Sequence, residues 1–489
     1  MKVKNSRLLC ILLFVLAACS NTEIEKKSSF LPEIKMELTE NKEKGKLIFT
    51  FASLAYDIDE KWGKGVPKAG VERIAQVAHK YRMPVTWIIN LGSGKALKSK
   101  LDAWHKEYGD DIALLWDEEV ETERGRNNLQ IAVDSLRVMF PWSELEVVAS
   151  SRKSNELLIS GKTAGASAIW GYCWEQVGID GITDRGAPWG FFYASQDNYK
   201  LPSLEGKGMV SVEWTSRDLL KSLHSQAPTI YSSDPNDVGR TGLCNGNDID
   251  YWKSLFDNYI RNIAHNKFVF FQQQQEAHEM EYGDVCKAYL PREIDESEKM
   301  LDAFFSYVKS YGDMVEFKTI PQAVQVYKES FSETEPVTML FDDAPARKPP
   351  FWYARGYGAW GPWPKTLLYY DKECQMAFVE DQLFPIMYRD YINNRNVFDP
   401  EHYESVYSPE IKVRIPWSGD EELMEIPIEI TSEKAIPYAI SLWYDFNRYK
   451  VKRVEGAEFI GPIEEQALIL RLNLKIGVNK VKIRLDHFN

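Results

Sequence analysis

The sequence has few of the features that mark nucleic-acid-binding, membrane-spanning or nucleotide-dependent proteins. Its 72 acidic residues outnumber its 59 basic residues, which gives a net charge of −13, whereas binding to phosphate backbones needs a basic face. No glycine-rich dinucleotide fingerprint or P-loop occurs, and no pair of cysteines has zinc-ribbon spacing. After the N-terminal region, no apolar run approaches the about 20 residues of a transmembrane helix. Hydrophobic residues make up 44% and charged residues 27% of the chain, which predicts a globular protein with an ample core.

The N-terminus has the order of an export signal. Basic residues between positions 2 and 7 precede an apolar stretch at 8–16, which is too short to span a bilayer, and Ala17 and Ala18 follow. We therefore predict a signal peptide over residues 1–18. The sequence Leu16-Ala17-Ala18-Cys19 resembles the lipobox of bacterial lipoproteins, whose cysteine carries the acyl chains. That resemblance implies a lipidated Cys19, a polar tether over residues 19–44, and attachment to the outer membrane, with the folded part periplasmic or surface-exposed. An ordinary secreted protein is the alternative.

The remaining chain changes its pattern twice. Between residues 45 and 330, short apolar runs alternate with helical periodicity, which favours an α/β fold with parallel strands, and their number favours closure into a barrel. Proline, glycine and aromatic residues crowd a bridging segment over 331–408. From 409 to 489, strict alternation as in Val481-Lys482-Ile483-Arg484-Leu485 predicts a small C-terminal β-sandwich.

The barrel pattern predicts nine strands, and it predicts Ser93 as the N-cap of the helix that follows the second strand. The predicted strands are residues 47–51, 85–89, 112–115, 145–149, 168–172, 190–193, 209–214, 268–271 and 315–317.

Three segments carry a family resemblance over residues 45–330. They are Leu47-Ile48-Phe49-Thr50-Phe51, the stretch 83–89 with the helix before it, and the strand and helix that begin at 315. Their order resembles the glycoside hydrolase/deacetylase superfamily, the irregular (β/α)7 barrels typified by NodB-like polysaccharide deacetylases. Together with the C-terminal β domain, the chain looks most like an uncharacterised lipoprotein family within that superfamily.

The sequence departs from the deacetylases at their metal site. Where they begin with Thr-Phe-Asp-Asp, this chain has Thr50-Phe51-Ala52-Ser53, and its third strand is followed by Trp116-Asp117-Glu118-Glu119 without a histidine. A zinc-like ion needs imidazole and carboxylate donors together. We therefore predict no metal and no cofactor, and we do not transfer metal-dependent deacetylation to this chain.

Candidate site residues follow from the rule that α/β barrels place catalytic groups at the C-terminal ends of their strands. Several carboxylates at one barrel mouth suit glycoside hydrolysis, in which one carboxyl group donates a proton and another is ionised. We predict Glu175 as the protonated group, because neighbouring aromatic side chains desolvate it, and Glu276 as the ionised group. The full prediction comprises the catalytic residues Glu175, Glu276, Glu213 and His278 and the substrate-binding residues Trp174, Trp214, Gln274, Asp57 and Asp59.

Each candidate has a structural alternative. Asp57 and Asp59 are also typical of Asx-turns, and Glu175 of a hydrogen-bonded structural carboxylate. Glu276 and His278 could belong to a loop or the start of a helix. For the acidic run 117–119, a solvated loop is the preferred interpretation.

Three functions are compatible with this pattern. The first is a metal-independent glycosidase that acts on a glycan or oligosaccharide outside the cytoplasm. The second is a non-catalytic glycan-binding lipoprotein, since a barrel can keep its cleft after losing its chemistry. The third is a deacetylase with a rearranged metal site that uses Asp57 or Asp59 together with His278.

The cysteines permit one further prediction. Cys244 and Cys286 both fall in loops after late strands, and an oxidising compartment allows them to form a disulfide. Free buried thiols are the alternative.

Overall fold

The computed structural model covers most of the predicted barrel and much of the C-terminal region. The residues it describes are 45–55, 68–150, 154–171, 190–196, 203, 208–218, 231–235, 238–239, 242–264, 266–277, 280, 294–334, 338–341, 366–371, 376–379, 389–390, 395–396, 411–414, 424–433, 435, 437–443, 449–463 and 467–487. Within these ranges, no helix combines the length and the apolar character needed to cross a membrane.

The described residues between 45 and 334 contain a curled nine-stranded sheet. Eight strands follow the order β6-β7-β5-β4-β3-β2-β1-β8, and β9 pairs with β1. All of these pairs are parallel except β6 with β7, which is antiparallel. The strands are β1 (Leu47–Leu54), β2 (Val85–Ile89), β3 (Asp111–Leu115), β4 (Val147–Ala149), β5 (Ala168–Trp170), β6 (Phe191–Tyr193), β7 (Val210–Val212), β8 (Val269–Glu276) and β9 (Val315–Lys318).

Helices connect and cover these strands, and their ends carry recognisable capping residues. The side chain of Asn90 accepts from the N–H of Ser93, and the side chain of Ser93 bonds back to Asn90, which forms a capping box. Gly109 ends the same helix in the left-handed conformation. The helices are α1 (Lys68–Lys80), α2 (Leu91–Tyr108), α3 (Glu123–Met139), α4 (Asn155–Thr163), α5 (Asp250–Arg261), α6 (Ile294–Lys309) and α7 (Ile320–Ser330).

Alternate side chains of each strand enter two different cores, because successive residues of a strand point to opposite faces. Phe49 and Phe51 belong to the outer core with residues of α1 to α6. Ile48 and Ala52 belong to the inner core, where they join residues of α7 such as Tyr327. The Tyr327 ring packs 5.2 Å from Phe268, just before β8. Helix α7 therefore closes the end of the barrel at which the parallel strands begin.

The curled sheet meets itself beyond β7. The N–H of Ser216 donates to the carbonyl oxygen of Gln272 at 3.1 Å, and the N–H of Gln272 donates to the Ser216 hydroxyl at 2.8 Å. The segment after β7 thus runs beside β8. The predicted α/β barrel is confirmed as a curled parallel sheet covered by helices.

Two details of the sheet differ from the sequence prediction. The strand predicted at 268–271 extends to Glu276 through four buried glutamines. Glutamine does not specify a strand by itself, but the pairing with all of β1 imposes the extended backbone here. The reversal of β6 is likewise a tertiary feature, because the alternation of side chains along a strand is the same for a parallel and an antiparallel neighbour.

The C-terminal region consists of antiparallel strands, as predicted. Ile426, Ile428 and Ile430 of β16 are buried at every second position, which leaves the intervening residues on the wetter face. Two of its sheets have the orders β15-β16-β21-β18 and β17-β20-β19, and the segment before them contributes the sheets β10-β11-β12 and β13-β14. The strands are β10 (Thr338–Phe341), β11 (Thr366–Asp371), β12 (Met376–Val379), β13 (Arg389–Asp390), β14 (Arg395–Asn396), β15 (Ile411–Arg414), β16 (Glu425–Ser432), β17 (Pro437–Trp443), β18 (Tyr449–Glu455), β19 (Glu458–Ile463), β20 (Ala467–Asn473) and β21 (Gly477–His487).

The predicted disulfide between Cys244 and Cys286 is wrong. Cys244 is a free thiol, fully buried in the outer core, and burial raises its pKa to about 12. A thiol so rarely ionised is a poor nucleophile and packs as a small apolar side chain. Cys286 lies outside the described residues.

Candidate functional site at the barrel mouth

The C-terminal ends of the parallel strands gather at the end of the barrel opposite α7, and we call this end the mouth. Three predicted residues lie there within the described ranges: Gln274 and Glu276 on β8, and Trp214 just beyond β7. Glu213, which directly precedes Trp214, is also described. The other predicted site residues, Asp57, Asp59, Trp174, Glu175 and His278, lie outside the described residues, as does Cys19.

A line of polar side chains runs along the inner face of β8 towards the mouth. Gln272 hydrogen-bonds through its side-chain oxygen to the Thr50 hydroxyl of β1. The amide of Gln274 donates to Asp234 Oδ2 at 2.5 Å. Glu276 ends the strand, half-buried and in register with Leu54 of the inner core. Because these three residues alternate along the strand, they share the inner face, and the line ends in a carboxylate.

Asp234 is a carboxylate that the sequence analysis did not select. It is 5% exposed, and its segment bridges to Arg217, beyond β7. The rule of strand ends passes over Asp234 because no predicted strand precedes it. The available signal was Ser-Ser-Asp-Pro, a pattern typical of a helix start, and the carbonyl of Asp234 does accept from the N–H of Val238.

The Trp214 ring stacks on another tryptophan, and a glycine leaves the space that the ring occupies. Its ring lies 4.2 Å from the ring of Trp170, at an angle of 23°. Trp170 belongs to the inner core and is fully buried, whereas Trp214 is partly exposed. Gly171 has φ +67°, and a Cβ atom there would lie 2.7 Å from Trp214 Cε3. The absence of a side chain at Gly171 therefore makes room for the Trp214 ring.

The side chain of Glu213 lies in a different environment from that of its neighbour Trp214. It is 1% exposed, and it lies near Tyr259 of α5. Burial, followed by the negative charge of Glu213, raises the pKa of the Tyr259 phenol. Tyr259 belongs to the outer core, whereas Trp214 packs against the inner one. The Glu213 side chain thus lies on the side of Tyr259, whose hydroxyl bonds to the backbone of the fully buried Arg217, and the Trp214 ring lies on the side of the inner core.

A second polar feature lies at the ends of β2 and β3. An open cleft of about 440 Å³ separates the start of α2 from the loop after β3, and we call it the rim cleft. Asp117 and Glu118 are exposed along it, as the solvated-loop interpretation predicts. Asp117 Oδ1 also accepts a long hydrogen bond of 3.4 Å from the Ser150 hydroxyl at the end of β4. The cleft is lined by Asn90, Leu91, Gly92, Leu114, Leu115, Trp116, Asp117, Glu118 and Ala132.

The position of the deacetylase metal site contains no ligand side chain on β1. Ala52 and Ser53 are both fully buried there, and Ala52 faces the inner core. Among the residues that the structure describes, no three His, Cys, Asp or Glu side chains lie together as they would around a metal ion.

Comparison with known proteins gives similarity in structure but not in sequence. No family model and no curated protein sequence matches the chain. The Puue allantoinase is similar with a TM-score of 0.38 and 12% identity over 59% of this chain and 92% of its own. A probable polysaccharide deacetylase from Pseudomonas aeruginosa PAO1 has the same TM-score and identity, over 58% and 92%. A 4-alpha-glucanotransferase from Thermococcus litoralis gives 0.36 and 7%, over 91% and 100%. A probable polysaccharide deacetylase is thus among the solved structures to which the chain is similar.

Proposed function

We propose that the protein acts on a glycan outside the cytoplasm by metal-independent glycoside hydrolysis, with the sugar bound at the barrel mouth. The observation that carries this proposal is the polar line of β8, which ends in Glu276 and includes the pair Gln274–Asp234. Two carboxylates with different surroundings, here Glu276 and Glu175, can divide acid and base roles. Amide groups supply the donors and acceptors that sugar hydroxyls need, and the aromatic face of Trp214 can stack on the apolar face of a sugar ring.

In this proposal Glu276 is the ionised carboxylate, because it is half-buried and follows polar amide side chains rather than apolar ones. Glu175 is proposed as its protonated partner on the basis of its aromatic sequence neighbours alone. Asp234 is a positioning residue in this scheme. Its carboxylate accepts from the Gln274 amide and so fixes the orientation of the buried Gln274 side chain.

Substitution of Glu276 by Gln tests the proposal, because it keeps the shape of the side chain and removes its charge. We expect turnover to fall by roughly 10²-fold or more, with glycan binding largely retained, as measured by the release of reducing ends from a panel of oligosaccharides. Glu316→Gln is the matched control, since Glu316 lies on β9, beside the beginning of β1. Near-wild-type cleavage by Glu276→Gln would remove Glu276 from the mechanism.

A non-catalytic glycan-binding protein is the second candidate function. The pair Ala52-Ser53 favours it, because these side chains can neither act as a carboxylate base nor replace the Asp pair of the deacetylases. In that case the wild type binds at least one oligosaccharide of the panel without cleaving it, and Trp214→Ala weakens that binding. Cleavage of any member of the panel by the wild type, abolished by Glu276→Gln, decides for the enzyme.

A further inference from the structure

The connection between β20 and β21 exposes two aliphatic side chains. Ile476 is 74% exposed and Val478 is 61% exposed, whereas the nearby Leu474 and Val481 are each 2% exposed. Single exposed apolar residues are common on protein surfaces, but here two of them lie on one short turn. We call residues 475–479, which contain both, the tip.

The side chain of Asn479 holds the backbone of the tip in place. Its Oδ1 accepts from the N–H of Lys475 at 2.9 Å, and its Nδ2 donates to the carbonyl oxygens of Lys475 at 2.8 Å and Gly477 at 3.2 Å. The same nitrogen lies 3.3 Å from the carbonyl oxygen of Ile430 on β16. Gly477 has φ +100°, a conformation that residues with a side chain rarely adopt. The tip is therefore a braced turn, and its geometry keeps the two aliphatic side chains in solvent.

Basic side chains flank the tip and continue along one face of β21. Lys475 begins the tip and Lys480 follows it, and both are exposed. Lys480, Lys482 and Arg484 occupy alternate positions, so they share the wetter face of the strand with Val478. Together with the residues paired to this face on β16 and β18, five side chains are basic and three are acidic: Lys475, Lys480, Lys482, Arg484 and Arg453 against Glu425, Glu429 and Glu455. This surface is locally basic, although the whole chain has a net charge of −13.

Exposed aliphatic side chains flanked by lysines match the surface of an anionic bilayer. Aliphatic groups enter the boundary between headgroups and acyl chains, while basic side chains stay with the phosphate groups. An anionic polysaccharide would contact the basic residues but would leave Ile476 and Val478 in water. Because the chain as a whole is repelled by an anionic surface, a local basic face determines which side of the molecule can approach it.

We propose that the tip and the basic face of β21 form a surface that rests on an anionic phospholipid bilayer. Ile476 and Val478 enter the headgroup region, and Lys475 and Lys480 contact phosphate groups. Two aliphatic side chains bind a membrane far more weakly than an acyl chain does, so this surface orients a lipid-anchored chain and does not retain an unanchored one. The inference goes beyond the proposed function and is independent of the chemistry at the mouth.

Co-sedimentation with vesicles at low salt tests the surface, using the full chain with Cys19→Ser, which cannot be acylated. We expect vesicles of phosphatidylglycerol and phosphatidylethanolamine to bind it at least about tenfold more tightly than vesicles of phosphatidylcholine. This difference should shrink as salt is added, because salt screens exposed charges. Ile476→Ser combined with Val478→Ser should weaken binding to the anionic vesicles by about tenfold, and Lys475→Gln combined with Lys480→Gln by a similar factor.

Matched variants separate the tip from the rest of the surface. Ile131→Ser combined with Val138→Ser makes the same kind of change on α3, where these side chains are 59% and 83% exposed, and should leave binding unchanged. Lys106→Gln combined with Lys162→Gln removes two exposed charges from α2 and α4 and changes the net charge equally. It should therefore have a much smaller effect than the pair at the tip. Thermal unfolding of each variant confirms that it is folded.

The outcomes are distinct from those that test the glycan function. Equal binding to anionic and phosphatidylcholine vesicles, or equal behaviour of the tip variants and their controls, overturns the proposal. Loss of binding in the lysine variants alone identifies a site for polyanions without insertion and also overturns it. Failure of the chain to bind the anionic vesicles overturns the membrane surface and leaves the proposed function at the mouth in place.

Discussion

Asp110 joins helix α1 to the beginnings of β2 and β3. Its carboxylate is 1% exposed and lies 3.0 Å from His79 Nε2 through each oxygen. It accepts from Trp87 Nε1 at 2.7 Å and from the N–H of Val85 at 3.0 Å. Removal of one partner from such a buried network leaves the other polar groups unpaired.

We therefore predict that Asp110→Ala lowers the free energy of unfolding by about 3–5 kcal/mol, as measured by urea denaturation. Asp302→Ala is the control, because Asp302 accepts from Lys80 on the exposed side of α1, and solvent-exposed ion pairs contribute little. Equal losses in the two variants would contradict the role given to the Asp110 network.

Asp111 provides a pH-dependent prediction. Burial raises the pKa of its carboxyl group, although the Ser143 hydroxyl and the N–H of Ile112 partly offset this. A carboxyl group whose pKa is raised by folding holds its proton more tightly in the folded state, so its ionisation costs stability above the folded pKa. Asp111→Asn should therefore be more stable than the wild type at pH 7. This advantage should shrink as the pH falls through the folded pKa, as measured by urea denaturation at several pH values. An advantage independent of pH would refute the prediction.

At the scale of elements, Gly171 at the end of β5 determines where the Trp214 ring can lie at the mouth. Gly171→Ala places a methyl group against Trp214, as described above, and also strains the backbone at φ +67°. We expect a loss of about 1–3 kcal/mol in the free energy of unfolding, together with weaker glycan binding, because the Trp214 ring must move. Gly190→Ala is the matched control, since its φ is +78° and an added Cβ would meet nothing within 4 Å. If both variants bind glycan equally well, the position of Trp214 is unimportant for binding.

The elements that the sequence predicts well are those whose signal is local. Strand β2 has the predicted bounds, because Pro84 marks its start and an apolar run fills it. The prediction of Ser93 as the N-cap of α2 is wrong, because the cap is Asn90, three residues earlier, and Ser93 is its partner inside the helix. The extension of β8 through Gln272 to Gln275 has no local signal, because it depends on pairing with β1.

The candidate site is likewise predictable only where its residues follow a strand with a local sequence signal. The rule of strand ends places Glu276 and Trp214 at the mouth without a structure. It does not find Asp234, because its approach to Gln274 depends on the path of the long connection between β7 and β8. The rule of strand ends also assigns the side chains of Glu213 and Trp214 to the same cleft. Adjacent residues of an extended segment, however, face opposite sides.

At the scale of the whole molecule, the membrane anchor is a proposal from the sequence. We predict that Cys19→Ser releases the protein from the outer membrane, because the thiol that carries the acyl chains is gone. Cell fractionation and immunoblotting measure the distribution. Cys10→Ser, within the apolar stretch of the signal, is the control and should leave the protein membrane-bound. Retention of Cys19→Ser in the membrane fraction would argue against lipidation.

The pairing of β1 with two late strands constrains the order in which the barrel can assemble. Thr50 and its hydrogen-bonding partner Gln272 are 222 positions apart in the chain, and Leu47 pairs with both Val269 and Val315. Contacts this distant in sequence make folding slow. A chain interrupted before Val269 would leave one edge of β1 open, and open edges of this kind promote aggregation. An incomplete chain that lacks β8 and β9 should therefore associate with other chains through β1 more readily than the complete barrel does.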